Sequence, residues 1–384
     1  MSEDSFLFKD CINRKVIKEL SLNIKSNYKY FDSNRFEKSI LKDITPLSLT
    51  ERLDKVTDFL YDFLPKKYEQ SVSILLKSLP PELPNSSEQT EGSGAKTIST
   101  LNGMIMLSLT SFISRYGLEH FEQSTHALYE MTKRFSSEGA MRYFILQDQK
   151  KTMRLLLQWT DDKNMHVRRL CSETTRPRLP WAIQLKPFIK NPKPIFKILD
   201  QLYQDDEIYV RRSVANNLND ISKDNPELVI NTLKKWMKKT KTLEMKWLTN
   251  HALRTLLKQG NSEALNLIGY SSNFKVKISN VEMPKARVKI GSKLNFEVNI
   301  HSLVNYDQDL MIDYIIHHQK ANGSLTPKVF KWKKLKLKAN ENKSLKKDHS
   351  FKIITTRVYH PGDHQIQMQI NGKQFKKFNF ILTK

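Results

Sequence analysis

One stretch of the sequence, HVRRLCSETTRPRLPWA at residues 166–182, holds four arginines, one glutamate, two prolines and a tryptophan within seventeen residues. Packing a helix does not require this mixture. Arginine side chains grip phosphates in a bidentate manner. A carboxylate in a partly desolvated cleft stabilises a developing positive charge or activates a water molecule, and an aromatic face attracts cations. These residue types could therefore hold an anionic partner and act on a centre that becomes positively charged.

The charged residues of this stretch share one face of a predicted helix. Side chains four and then three positions apart lie on the same helix face, and Arg169, Glu173 and Arg176 have this spacing. The apolar residues Val167 and Leu170 would face the core. A second interpretation stays open, in which Arg169 and Glu173 only form a salt bridge between neighbouring repeats.

The stretch belongs to an internal repeat. HVRRLCSE (166–173) returns as YVRRSVAN (209–216), 43 residues later, and WLTNHALRTLL (247–257) is a looser echo. Helical repeats of about 40 residues are typical of HEAT-type solenoids, in which helix pairs stack and one helix of each pair lines a concave surface. The repeat therefore predicts that equivalent residues line one groove.

The second repeat carries its own polar face. Arg212, Asn216 and Asn219 have the same four-then-three spacing, and Asp220 lies four residues beyond Asn216. Two successive repeats thus present polar faces at equivalent places, and we expect both to border the groove.

A third helix and a turn complete the candidate site. In FSSEGAMRYFI (135–145), Glu138 precedes Arg142 by four residues, and Trp181 follows a proline in the turn after residue 175. Glu138 could instead be a helix-start carboxylate that interacts with the helix dipole, and Trp181 could be a core side chain. Convergence of three polar faces and a tryptophan on one groove favours the functional interpretation.

The elements that must position these residues come from two periodicities. From about residue 10 to 268 apolar residues recur every three or four positions, as in helices. After Gly269 they alternate, as in strands, and Asn-Gly at 371–372 is a hairpin turn signal. We predict a mainly α chain with a β domain. A HEAT-like α–α solenoid at 1–270 would precede a small antiparallel, immunoglobulin-like β-sandwich at 271–384.

The charge of the chain points to a polyanionic partner. Lysine and arginine number 64 against 40 acidic residues, a net charge of +24, which favours nucleic acid or an acidic membrane surface. The last 114 residues carry +14 of this excess, much of it in KVFKWKKLKLK (328–338). These lysines are expected either to face phosphates or to be a solvated face of the sandwich.

Several classes of protein are disfavoured by what the sequence lacks. It has no glycine loop for phosphates, no GxSxG and no His/Cys cluster, so we predict neither a metal nor a cofactor. Cys11 and Cys171 lack metal-ligand spacing and suit a reducing cytosol. The acidic start MSEDSFLFKD is not a signal peptide, and no apolar run is long enough for a membrane span. We therefore expect a cytoplasmic protein, and we also expect it to be a monomer.

Four blocks in this order and spacing are specific: TKRFSSEGAMRYF (132–144), WTDDKNMHVRRLCSETTRPRLPWA (159–182), YVRRSVANNLNDISKDNP (209–226) and WLTNHALRTLLKQGNSEAL (247–265). Through them, residues 1 to 270 resemble the AlkC branch of the HEAT-like-repeat DNA glycosylases, part of which appends an immunoglobulin-like domain. Gly139 and Thr174 depart from the family pattern, which has a larger apolar residue and a glycine there.

The resemblance implies roles for individual residues. The family's active-site glutamate falls on Glu138, and Glu173, Trp181 and Asp220 are the other candidate catalytic residues, Asp220 by its place on the second polar face. The candidate DNA-binding residues are Arg142, Arg168, Arg169, Arg176, Arg178, Arg211, Arg212, Asn216, Asn219, Lys331, Lys333 and Lys334.

The implied activity is that of a DNA glycosylase in base excision repair. It would remove positively charged N-alkylated bases, of the N3-methyladenine or N3-methylcytosine type, from duplex DNA by hydrolysing the N-glycosidic bond. The resemblance also implies excision from a bent duplex without a deep base pocket. The alternatives are a non-catalytic basic HEAT scaffold that binds nucleic acid or an acidic protein, and an RNA-binding module.

Overall fold

The computed structural model describes residues 7–90, 98–354 and 357–384. By its contacts the chain forms two compact units, Met1–Asp224 and Asn225–Lys384. The first is helical, and the described part of the second contains four helices followed by eight strands. The predicted fold class, a helix-rich region followed by a β domain, is confirmed. The boundary at residue 270 and the HEAT-like stacking stay predictions.

Among the residues of the first unit that the structure describes, a 3-10 turn (Phe8–Cys11) precedes the helices. They are α1 (Arg14–Asn27), α2 (Ser33–Leu41), α3 (Leu49–Phe63), α4 (Tyr68–Lys77), α5 (Ser87–Thr90), α6 (Met106–Tyr116), α7 (Phe121–Thr132), α8 (Glu138–Gln147), α9 (Gln149–Trp159), α10 (Met165–Thr174), α11 (Lys186–Lys190), α12 (Lys193–Leu202) and α13 (Ile208–Ile221). The second unit adds α14 (Pro226–Lys239), α15 (Leu243–Ala252), α16 (Arg254–Gln259) and α17 (Ser262–Leu267).

The two repeat helices, α10 and α13, pack on each other through their apolar faces. Val167 and Leu170 of α10 and Val214 and Leu218 of α13 are fully buried. Asn217 fixes the register between the helices, because its side-chain amide donates to the Ser172 carbonyl at 2.7 Å and to the Thr175 hydroxyl at 3.0 Å. The predicted core faces of both helices are therefore oriented as the spacing indicated, whereas Asn219 and Asp220 of the predicted polar face of α13 are buried.

The first arginine of each VRR sequence fixes the turn before its own helix. Arg168 Nη1 donates to the carbonyls six and five residues earlier, at 3.0 and 3.2 Å. Arg211 Nη1 donates to carbonyls at the same two offsets. Arg168 also forms a bidentate ion pair with Asp205, at 2.7 and 3.0 Å. The internal repeat thus contains the same arginine-to-carbonyl contacts twice, in addition to its polar face.

Eight strands form two sheets in the described residues of the second unit. They are β1 (Val276–Glu282), β2 (Arg287–Lys289), β3 (Lys293–Ser302), β4 (Gln308–Gln319), β5 (Leu325–Leu337), β6 (Asn342–Ser350), β7 (Gly362–Ile370) and β8 (Lys373–Thr383). The sheet orders are β1-β3-β6 and β2-β8-β7-β4-β5. All pairings between strands are antiparallel except that of β2 with β8.

The sandwich core comes from the alternation seen in the sequence. In β3, Leu294, Phe296, Val298 and Ile300 point inward and are buried. They belong to one cluster with buried side chains of the second sheet, such as Ile316. Because both sheets contribute to a single core, the region folds as a sandwich.

The predicted Asn-Gly turn joins β7 to β8, and both its residues have positive φ, +42° at Asn371 and +82° at Gly372. Gly372 also lies against Gly260, the residue that ends α16 in the left-handed conformation. A Cβ at Gly260 would fall 2.7 Å from the Gly372 carbonyl oxygen, and a Cβ at Gly372 would fall 2.5 Å from that of Gly260. Only glycine fits at either position of this joint.

Three histidines lie around Phe351 in the sandwich. The rings of His349 and His364 have their centroids 6.2 and 5.9 Å from that of His318. Burial, together with nearby Arg357, lowers the pKa of His318 to about 3, and burial lowers the pKa of His349 to about 4. Burial also lowers the pKa of His364. The folded sandwich therefore holds these rings uncharged.

We expect the second unit to lose stability in weak acid. The unfolded histidines have a pKa of about 6.5, so between that pH and about pH 4 the unfolded chain binds protons that the folded chain does not. The free energy of unfolding then falls as the pH falls. Asp313, whose pKa burial raises to about 6, acts in the opposite direction but is a single group.

The measurement is urea unfolding of the full chain at pH 7 and pH 5, followed by a signal from the sandwich. His349→Gln should reduce the difference between the two midpoints, whereas His301→Gln, at a partly exposed position, should leave it unchanged. Equal midpoints at both pH values for the unsubstituted chain would contradict the expectation.

Candidate active site

Glu138 is the first residue of α8, and its side chain is 24% exposed. The Ser136 hydroxyl donates to Oε2 of Glu138, and Arg169 Nη1 donates to the same oxygen. No described residue is hydrogen-bonded to Oε1. A carboxylate in the first turn also interacts favourably with the helix dipole. Here, however, the carboxylate is held by an arginine from another helix and caps no backbone N–H.

Arg169 of α10 lies between two carboxylates and an aromatic ring. Besides Glu138, it contacts Glu173, with Nη2 3.5 Å from Oε1, and its guanidinium lies 5.2 Å from the centroid of the Tyr209 ring. Burial would lower the pKa of Arg169, but the Glu138 carboxylate and then that of Glu173 raise it overall. The arginine is therefore held charged in one place.

Glu173 is buried with both its oxygens occupied. Arg176 donates to Oε1, and the Ser213 hydroxyl donates to Oε2 at 2.6 Å. Burial opposes ionisation, yet Arg169 and Arg176 lower the pKa of Glu173. The carboxylate is therefore ionised, and its hydrogen-bonding capacity is used within the protein.

Asp220 at the end of α13 is buried as well. Arg176 Nε donates to its Oδ2 at 2.9 Å, and Lys223 Nζ donates to its Oδ1 at 2.9 Å. Acidic and basic side chains thus alternate along a connected series of contacts. We call these six residues the charge ladder: Glu138, Arg169, Glu173, Arg176, Asp220 and Lys223. Its three positive charges balance three negative ones, and Glu138 is its partly exposed acidic end.

Arg142 has no contact with solvent, so our interpretation of it as a DNA-contacting residue is wrong. Its Nε donates to the Ile183 carbonyl at 2.7 Å, and Nη1 donates to the carbonyls of Thr174 and Arg176 at 2.8 and 2.7 Å. Nη2 reaches the Pro177 carbonyl at 3.5 Å. Burial, then repulsion by Arg176, lowers the pKa of Arg142 to about 10. Arg142 therefore ties the loop 174–183 to α8.

A second bond ties this loop to α8. The hydroxyl of Thr174, where the family pattern has glycine, donates to the Glu138 carbonyl at 2.8 Å. Gly139, the other departure, has open space around it, since an added Cβ would meet no atom within 4 Å. Neither departure disturbs the charge ladder.

Trp181 is displayed on the loop and is no core side chain, because it is 84% exposed. Its φ is +59°, a left-handed conformation that is unfavourable for a bulky residue and persists only where the surroundings enforce it. Its ring meets that of Phe8 edge-on, with centroids 6.1 Å apart. The loop therefore holds an aromatic side chain out to solvent in a strained conformation.

The chain is similar to known proteins over both its helical and its β regions. Residues 133–256 match the family described as DNA alkylation repair enzyme, and residues 277–384 match the C-terminal Ig-like domain of the uncharacterised protein YhaZ. YhaZ of Bacillus subtilis (strain 168) is 37% identical over 373 residues, which are 97% of this chain and 98% of YhaZ.

A solved structure matches the whole chain. It is that of the alkylpurine DNA glycosylase AlkC of Pseudomonas fluorescens, bound to DNA that contains an abasic site analogue. The two chains are 32% identical over 99% of this chain and 100% of that one, with a TM-score of 0.87. This chain belongs to the AlkC family of DNA alkylation repair glycosylases.

Arg168 and Arg211 of this AlkC-family chain use donors within the protein, and their contact with DNA stays a prediction. The donors of Arg168 and the Nη1 of Arg211 are taken up by the turns before α10 and α13. Arg178 is only one-third exposed and forms a bidentate pair with Asp224, at 3.0 and 2.9 Å. Of each VRR pair, the second arginine is the functional candidate.

The remaining polar candidates differ in exposure. Arg212 is exposed and forms no ion pair with a described residue, Asn216 is partly exposed, and Asn219 is buried within α13. Lys331, Lys333 and Lys334 are exposed on β5, the edge strand of the larger sheet. Exposure suits Arg212 and the three lysines for phosphates, whereas the burial of Asn219 does not.

The sequence reasoning missed the residues that support the ladder. Tyr209, beneath Arg169, occupies the repeat position of His166, so the 43-residue repeat marked it as a place to examine. Ser136 and Ser213 hold single carboxylate oxygens of Glu138 and Glu173, and no local pattern indicates those contacts. Within the described ranges no group of three His, Cys, Asp or Glu is arranged to hold a metal ion.

Replacing Arg142 tests its structural role in this AlkC-family protein. Arg142→Met would leave several buried carbonyls without a donor, at about 1–3 kcal/mol for each unsatisfied group, so we expect a loss of roughly 3 kcal/mol or more from the free energy of unfolding. Arg178→Met, which breaks one partly exposed pair, should cost only about 0–1 kcal/mol. Both are measured by urea unfolding. Unchanged stability of Arg142→Met with lost DNA binding would restore the DNA-contact interpretation.

Proposed function

We propose that this AlkC-family enzyme removes positively charged N-alkylated bases, of the N3-methyladenine or N3-methylcytosine type, from duplex DNA during base excision repair. The observation that carries the proposal is the carboxylate of Glu138. It is partly exposed, it has one oxygen without a described partner, and it ends a ladder whose other acidic groups are buried and occupied. The match to the Pseudomonas enzyme over both whole chains supports it.

The chemistry requires little acid catalysis. A base alkylated at N3 is cationic and leaves as a neutral molecule when it takes the electron pair of the N-glycosidic bond. The sugar then becomes oxocarbenium-like, and water adds to C1′ as it loses a proton. The Glu138 carboxylate can stabilise the sugar cation, and its Oε1 can orient the water and accept the proton.

The buried acidic groups have a different role in this proposal. With both oxygens used, Glu173 and Asp220 are positioning residues that keep Arg169 and Arg176 in place, although both were candidate catalytic residues. Removing one partner of a buried ion pair leaves an uncompensated charge, which costs about 3–5 kcal/mol. The ladder therefore fixes Arg169 on Oε2 of Glu138 and leaves Oε1 for the reaction.

Duplex DNA is the proposed partner. Arg212 and the exposed lysines of β5 are available to phosphates, and phosphate contacts position a protein on DNA without reading its sequence. Trp181 offers an aromatic face to the cationic sugar and base. A basic scaffold without catalysis is the rival function, and it requires binding without product and indifference to Glu138.

The first test is release of alkylated bases. Purified protein is incubated with methylated duplex DNA, and the freed bases are separated by chromatography, with and without EDTA. We expect N3-alkylated bases to be released equally in both, because the proposed steps use only protein groups and water. Activity that disappears with EDTA and returns with a divalent ion would overturn the metal-free mechanism, and binding without any released base would favour the scaffold.

Glu138→Gln isolates the charge of the proposed catalytic group. The amide keeps the size and much of the hydrogen bonding but cannot stabilise a cation, so we expect the single-turnover rate to fall by a factor on the order of a hundred or more. DNA binding and the unfolding transition should change little. Glu130→Gln, which removes a carboxylate that pairs with Lys133 and Arg134 instead, is the matched control. Near-normal excision by Glu138→Gln would reduce Glu138 to a helix-start residue.

The lysines of β5 have two possible uses, which salt can separate. Lysines on an edge strand also prevent sheets from pairing edge to edge. If Lys331, Lys333 and Lys334 contact phosphates, replacing all three with glutamine should lower the slope of log affinity against log salt by about 0.9 per lost contact. The control set, with the same change of charge on α1, is Lys15, Lys18 and Lys25. An unchanged slope with increased aggregation would identify the lysines as edge protection.

A further inference from the structure

Two exposed aromatic rings meet although they lie 173 positions apart in the sequence. Phe8 is 53% exposed and Trp181 is 84% exposed, and their rings touch edge-to-face at 6.1 Å and 77°. A contact that leaves both rings mostly in water contributes little to a core. Exposed aromatic side chains held together in this way indicate a surface made for binding.

A buried arginine anchors the turn that carries Phe8. Arg52 Nη1 donates to the carbonyls of Lys9 and Ile12 at 2.7 and 3.2 Å. Its Nε donates to the Leu47 carbonyl at 3.2 Å. The side chains of Cys11 and Ile12, three and four residues after Phe8, are fully buried. The turn is therefore fixed from below, while Phe8 itself projects outward.

The loop that carries Trp181 is anchored by the same means. Arg142 is likewise buried and donates to four backbone carbonyls of that loop. The backbone at Trp181 is strained, because a bulky residue rarely adopts its positive φ. Two buried arginines thus hold two separate segments so that one aromatic ring from each meets the other in solvent.

We propose that Phe8 is a positioning residue for Trp181 and that the two rings together form an aromatic wedge that inserts into the damaged duplex. This rests on the proposed glycosylase function, of which it names a further binding element. Apolar side chains inserted at a base step unstack it and bend the duplex, and aromatic rings stack on bases regardless of sequence. The net charge of +24 suits the polyanion that surrounds such a step.

The contacts of the loop 174–183 indicate where on the protein the wedge acts. Arg142 lies one turn after Glu138 on α8, and the Thr174 hydroxyl bonds to the Glu138 carbonyl itself. The wedge is therefore built on the loop that is tied to the helix of the catalytic carboxylate. Phe8 limits the rotation of the Trp181 ring, so that the ring enters DNA in a single orientation.

A double-mutant cycle on the full chain tests the coupling between the two rings. Phe8→Ala, Trp181→Ala and the double variant are compared for binding to a duplex that contains a stable abasic-site analogue, with 2-aminopurine opposite the site to report unstacking. Phe8→Leu keeps an apolar side chain on the turn, Phe8→Tyr keeps the ring, and Leu7→Ala removes a neighbouring side chain that is 50% exposed. Single-turnover base release is measured alongside.

We expect Phe8→Ala and Phe8→Leu each to weaken binding about fivefold, the lower end of the range for losing an aromatic contact with a base, and to reduce the 2-aminopurine signal. Phe8→Tyr should restore both, Leu7→Ala should change neither, and in the Trp181→Ala background Phe8→Ala should weaken binding by clearly less than fivefold. Multiplicative effects of the two alanine substitutions, or equal losses in Leu7→Ala, would overturn the proposal.

The outcome for the wedge is independent of the outcome for catalysis. If the unsubstituted protein binds the abasic-site duplex but releases no base, the glycosylase proposal fails while the cycle still measures the coupling. If base release is normal and Phe8→Ala binds and excises like the unsubstituted protein, the wedge alone is wrong.

Discussion

The contact between Arg169 and Glu138 is the interaction on which the rest of the site depends. A guanidinium held away from water must be paired, and here its pairing also sets where the carboxylate points. Glu173 and Tyr209 hold the other sides of Arg169, and Glu173 in turn needs Ser213 and Arg176. Each charged side chain of the ladder therefore needs the next one as its partner, and the series ends at Lys223, which is partly exposed.

Two buried arginines that donate mainly to backbone carbonyls form a second layer of the design. Arg52 and Arg142 donate to carbonyls in turns and loops, which have no regular partner for these groups and would otherwise be unsatisfied. This use of arginine has a cost, since the charge must be desolvated. It yields loops fixed closely enough to hold Trp181 in an unfavourable backbone conformation beside Phe8.

The sequence predicted features that depend on neighbouring residues better than contacts between segments that are far apart in the chain. Helix faces follow from local spacing, so the shared face of Arg169 and Glu173 on α10 was predicted correctly, although Arg176 lies beyond the end of that helix. The alternation of apolar residues likewise predicted the strand that contains Phe296. Arg142 was misassigned because the sequence alone does not show whether a basic side chain contacts a phosphate or a backbone carbonyl. Only the fold decides how deeply the side chain is buried. Contacts between distant segments, such as Tyr209 beneath Arg169 or the parallel pairing of β2 with β8, leave no local pattern at all.

The joint between Gly260 and Gly372 has a consequence for how such a gene can change. Each glycine faces the backbone of the other, so a side chain at one position cannot be accommodated by shrinking its neighbour. Every amino acid that a single nucleotide change can put in place of glycine carries a Cβ. No substitution at either codon is therefore compatible with the backbone contact between the end of the helix and the hairpin. A lineage that keeps this contact has to keep both glycines together.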